Sequence, residues 1–119
     1  MITRAEWSDE ADAGLSRALP DATIRGIVAA EVKRGRSKLW LCKTDAHKAW
    51  AVTRLDSDPA EWVVVAFEGS GMMTFGPQFI AIAKANNIPL RAHVTSPLVE
   101  KLFSRLGMVR QEAIWRTAA

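Results

Sequence analysis

The chain has 119 residues, 49% of them hydrophobic, with one cysteine, no tyrosine and a net charge of +3. That length supports one compact core, and roughly two thirds of the unfolded surface should disappear on folding. A single cysteine excludes an internal disulfide, no apolar run approaches the ~18 residues of a membrane span, and Glu6, Asp9 and Glu10 interrupt the N-terminus where a signal sequence needs an apolar core. The expectation is one domain over 1–119, without a membrane, in a reducing cytoplasm or a particle assembled there.

No internal repeat, charge block or low-complexity segment divides the chain. The first strong punctuation is Asp56-Ser57-Asp58-Pro59, read as a tight turn between strands. Glu61 to Phe67 is a continuous, β-branched apolar run of strand length, suited to burial on both faces. Glu68-Gly69-Ser70-Gly71 breaks it. From Pro77, preset for a first helical turn, Phe79, Ile80, Ile82 and Ala83 recur at helical spacing up to Asn86-Asn87, which stop the helix. Ile88 to Val94 returns to strand alternation. Thr95-Ser96-Pro97 reads as a helix start, with Leu98, Leu102, Phe103 and Leu106 on one face and Gly107 as the left-handed stop. Met108 to Arg116 is extended. Two strands joined through a helix are expected to be parallel neighbours with a right-handed crossover.

This succession, above all from Ile88 to Met108, resembles the second half of the GCN5-related N-acetyltransferase (GNAT) superfamily. There a central strand leads into a loop of the form Arg/Gln-Gly-x-Gly-x-Gly/Ala, a helix, a strand, and a helix ending in a Tyr-x-x-Leu-Gly-Phe-like run. Here that run is Phe103-Ser104-Arg105-Leu106-Gly107-Met108. The resemblance implies an α/β (α+β) fold, with a central mixed, mostly antiparallel twisted sheet of about six strands and helices on both faces. It also fits Ile2–Trp7 as a first strand, Asp9–Leu19 and Thr23–Arg34 as two helices, and Lys38–Cys42 with Ala49–Leu55 as a hairpin.

The resemblance further implies a coenzyme site for acetyl-CoA or another acyl-CoA. Val65 and Phe67 would hold the pantetheine arm, and Gly69, Ser70, Gly71, Met72 and Met73 the pyrophosphate, whose charge suits backbone N–H groups at a helix N-terminus. The pattern departs from the family at both places that carry the chemistry. Glu68 stands in place of the leading cation, Met72-Met73 replace small residues, and Pro77 implies a later helix start and a longer, slacker loop. Phe103 occupies the position of the tyrosine general acid, with no tyrosine elsewhere to substitute. Cys42 and His93 are the remaining catalytic candidates, although a lone cysteine is commonly a small buried hydrophobe and a mid-strand histidine a satisfied core group. Glu6, Asp45 and Asp56 are candidate bases. His47, in the polar turn Thr44 to Lys48, reads as solvated.

Neither a zinc-ligand cluster nor the elbow motif of serine hydrolases is present. Lys33, Arg34, Arg36, Lys38, Lys43 and Lys48 concentrate around the second helix and the hairpin, near Trp40 and Trp50. They form either a phosphate-contacting edge for nucleic acid or a solvated helix end. Trp7, Trp62 and Trp115 read as strand residues packed in the core. Small GNAT-like proteins with degenerate coenzyme loops occur in tailed bacteriophages and prophages, some as internal virion or head-assembly proteins. The stretch Val64 to Gly71, with Leu90-Arg91-Ala92-His93 and the helix 97–106, is similar to that group. That similarity implies a protein partner or self-association, in the host cytoplasm and the virion. The alternative is an acyl-CoA-dependent N-acyltransferase.

Overall fold

The structure, a computed structural model, describes residues 1–57, 59–93, 104–111 and 114–117. The elements run β1 (Ile2–Ala5), α1 (Asp9–Gly14), α2 (Ala22–Lys33), β2 (Ser37–Lys43), β3 (Lys48–Asp56), β4 (Glu61–Gly69), α3 (Met72–Ala85), β5 (Leu90–His93), β6 (Met108–Gln111) and β7 (Ile114–Thr117). The fold is mixed α+β. Two compact units divide it, one of Met1–Arg54 with Val65–Gly71, the other of Leu55–Val64 with Met72–Ala119, so the chain passes between them within β4. The strands follow the order β1-β2-β3-β4 and then β4-β5-β7-β6. Four described pairings are antiparallel and one, β4 with β5, is parallel, as a crossover through a helix requires.

In the first unit, the Ser8 hydroxyl accepts from Ala11 N–H at 3.1 Å and starts α1, whose first turn holds Asp9, Glu10 and Asp12 at the positive end of the helix. The helix is shorter than the expected Asp9–Leu19. It ends where Gly14 passes so close to the Trp50 indole that any Cβ would overlap the ring. Asp21 caps α2, accepting from Thr23 N–H at 2.8 Å and Ile24 N–H at 3.3 Å. Asp12 on α1 and Arg25 on α2 form an ion pair at 3.3 Å. Alternation along β2 and β3 turns Leu39, Val52 and Trp50 toward Ala11, Leu15 and Val28, and Ala66 of β4 completes this core. Each large side chain so buried contributes about 1.5–3 kcal/mol. Trp7 packs partly against the same core from the segment after β1, not from a strand.

In the second unit, the parallel register sets Trp62 beside Leu90, Val63 beside Arg91 and Val64 beside Ala92. The inner face of α3 is Phe75, Phe79, Ile80 and Ala83, and the rings of Phe79 and Trp62 lie 5.7 Å apart. The helix stops as the asparagines predict. Asn87 takes φ 54°, and Ile88 N–H returns to the Ala83 carbonyl at 3.0 Å. Its start differs from expectation, since α3 begins at Met72 and contains Pro77 in its interior. The fully buried Phe75 is the physical reason, because only a helical first turn carries that ring inward. The backbone bond that Pro77 forfeits would go to the carbonyl of Met73, an exposed residue.

Among the described residues the strands number seven, where the resemblance implied about six. The stretch expected as one extended run from Met108 folds back on itself, pairing Met108 with Thr117 and Gln111 with Ile114, and β7 lies between β5 and β6. Two short paired strands satisfy backbone groups that one long edge strand would expose. Thr95, Ser96, Pro97, Leu98, Leu102 and Phe103 of the expected last helix lie outside the described residues, as does Asp58 of the first turn. Ser104 and Arg105 are helical, and Gly107 takes φ 80° as a left-handed stop should.

Candidate functional site at the turn after β4

Only Ser70 and Gly71 separate β4 from α3, so the turn is short and taut, contrary to the longer loop that Pro77 implied. Gly69 has φ 132° and Gly71 φ 89°, both in the region that disfavours side chains. Gly69 is also pressed against β3, where a Cβ would overlap the Lys48 carbonyl and the Ala49 backbone. Ser70 N–H donates to that Lys48 carbonyl at 3.0 Å, and Lys48 N–H donates to Ser70 Oγ at 3.3 Å. The turn is thereby laced to the start of β3.

His47 joins the turn, its Nδ1 standing 3.2 Å from Ser70 Oγ. The histidine is half-buried rather than solvated, because its own turn fixes it. Its N–H donates to Thr44 Oγ1 at 3.0 Å, and its carbonyl accepts from Thr44 N–H at 2.8 Å. No sequence signal announces this pairing, since His47 and Ser70 stand 23 positions apart with the whole of β3 and β4 between them. Beside it, Lys48 Nζ contacts Glu10 at 2.6 Å and lies 5.7 Å from the Trp50 ring. The lysine's hydrogen bond holds the exposed Glu10 carboxyl below the usual carboxylate range. Glu68 bends back on the turn, its Oε2 accepting from Gly69 N–H at 3.0 Å.

The other predicted residues are dispersed. Val65 and Phe67 are half-buried along β4, Met72 and Met73 form the start of α3, and no acid sits in that helix's first turn. Cys42 is fully buried on β2, opposite Ile2 and Ala49, and burial pushes its thiol up to about 11. A thiol so enclosed and held neutral is a poor nucleophile and packs as a small core side chain. His93 ends β5, in register with Ile114. Asp56 is committed to Arg91 at 3.0 Å, and Glu61 approaches the same guanidinium at 3.4 Å. Asp45 is exposed in the turn before β3, and Glu6 lies between β1 and α1.

Among the basic residues, Lys33 closes α2, Arg34 is its C-cap and Lys38 is exposed on β2. Trp50 is a core residue and offers no stacking surface, whereas Trp40 is half-buried under Arg4 at 5.6 Å and donates to Thr53 Oγ1 at 2.8 Å. Among the described residues, no three His, Cys, Asp or Glu side chains gather to hold a metal ion, and no helix is long and apolar enough to cross a membrane.

What fold and site define together is a mixed α+β protein with a glycine-bearing strand–turn–helix, its turn serine paired with a histidine. No protein-family model matches the chain, and no curated protein matches it in sequence.

Proposed function

We propose that this chain is a GNAT-fold protein that keeps the scaffold and has lost acyl-CoA-dependent transfer, acting as a binding or assembly protein. The phage- or prophage-encoded, virion-internal role implied by its resemblance is the setting we assign to it. Support for the fold assignment comes from the order of elements and from β4 running parallel to β5 through α3.

The observation that carries the loss of function is Glu68. Its carboxylate takes the place of the family's leading cation and holds the Gly69 N–H at 3.0 Å, within the turn that would receive a diphosphate. At ~5 Å, two such anions repel by roughly a kcal/mol or more at a partly exposed site. The absence of any tyrosine removes the family's usual general acid as well. A specific observation favours the second reading, an N-acyltransferase. The helix begins directly after Gly71, with no acid in its first turn, as a loop that offers N–H groups to pyrophosphate requires. In that reading the β4 backbone at Val65 and Phe67 holds pantetheine, and catalysis rests on orientation alone.

Calorimetric titration with acetyl-CoA and free coenzyme A at moderate ionic strength separates the two. The scaffold reading expects no saturable heat at millimolar ligand, and self-association or a retained partner in sedimentation. Micromolar binding that Gly71→Glu removes without altering the circular dichroism spectrum would replace it with the transferase.

A further inference from the structure

The pair formed by Ser70 and His47 has an arrangement that a structural clamp does not need. Ser70 is exposed on a sharp strand-to-helix turn between two glycines at positive φ, a placement that leaves its Oγ open to a reagent, as a serine nucleophile on a strand-to-helix turn must be. The spacing here, with a glycine on each immediate side, differs from the elbow motif of serine hydrolases, so the sequence alone does not display it. Lys48 N–H donates to Ser70 Oγ, which leaves the serine's own proton able to point at Nδ1 in the His47 tautomer that carries its hydrogen on Nε2. The His47 backbone is held by Thr44 at both its N–H and its carbonyl, which fixes the position from which the ring reaches Ser70. A separation of 3.2 Å is at the long end for such a contact and typical of nucleophile–base pairs before substrate arrives.

We propose that Ser70 is an activated nucleophile, with His47 as its general base, that takes an acyl group from an activated ester or thioester. Ser70 Oγ bonds to the carbonyl carbon as its proton passes to His47 Nδ1. The C–O or C–S bond then breaks, and the imidazolium returns the proton to the departing alkoxide or thiolate. Water, deprotonated by the same imidazole, releases the acid and restores the serine. This chemistry stands whether or not coenzyme A binds at the turn.

The test is exposure of the whole chain to p-nitrophenyl acetate, following nitrophenolate release, with fragmentation mass spectrometry to place the acetyl group. The expected result is acetylation at Ser70, absent in Ser70→Ala and slowed about 100-fold in His47→Gln, while Cys42→Ala leaves it unchanged. Acetyl groups confined to lysines, or equal rates with and without His47, would overturn the proposal. Should Ser70→Ala fail to fold, Ser70→Cys supplies the second reading. Its thiol should alkylate with iodoacetamide at least tenfold faster than in the double variant Ser70→Cys/His47→Gln, and equal rates would again overturn it.

Discussion

Gly69 and Gly35 both sit at positive φ, yet the space around them differs, and that difference sets what a methyl group does at each. Around Gly35 the space is open, so Gly35→Ala bears only backbone strain of about 1–2 kcal/mol. At Gly69 the same methyl also meets the β3 backbone, so Gly69→Ala should destabilise by clearly more, about 3 kcal/mol or above in urea titration. Cys42 gives the pH dependence. Its folded value of about 11 exceeds the ordinary 9.0, so the native state retains a proton that the unfolded chain releases. The thiol's contribution is intact below pH 9 and is lost as pH rises through 11, at up to about 1.4 kcal/mol per pH unit. Cys42→Ala should flatten that part of the stability profile. The native thiol should resist Ellman's reagent at neutral pH until urea unfolds the chain.

At the scale of elements, α3 shows propensity yielding to packing. A proline inside a helix costs about 3 kcal/mol when fully interior. The cost at Pro77 is smaller because the lost bond falls near the helix start, at the exposed Met73. Pro77→Ala should therefore raise the melting temperature, equivalent to about 1 kcal/mol after subtracting the proline's restriction of the unfolded chain. A fall in melting temperature would show that the proline's shape is needed at this point of α3. The N-cap of α2 allows a cleaner expectation. Asp21→Ala removes the acceptor of two N–H groups and should cost about 1 kcal/mol by thermal or chemical unfolding.

For the molecule as a whole, Arg91 binds three strand ends within the second unit, contacting Asp56 at the close of β3 and Glu61 at the opening of β4 from its own place in β5. Glu61 is only 5% exposed, so removing the guanidinium takes a cation away from a buried carboxylate. Arg91→Met should destabilise by about 3 kcal/mol, and adding Glu61→Gln should recover part of the loss, as a double-mutant cycle would measure. The local events of this fold were legible in the sequence: the apolar β-branched run of β4, the glycine turn, the asparagine stop of α3 and the left-handed Gly107 all follow from side-chain and backbone preferences within a few residues. Long-range events were not. The helix start at Met72 is decided by the pocket that buries Phe75, and the return of β7 between β5 and β6 by pairing among distant strands. Both are invisible to a short window of residues. The same holds for the site. Gly69 and Gly71 mark the turn in any reading, because only glycine tolerates that backbone, whereas His47 reaches Ser70 solely because β3 and β4 run side by side. Sequence by itself determined where the chain must bend. Tertiary structure decided which side chains meet at the bend, since hydrogen bonds between residues far apart in the chain exist only after the strands have found each other.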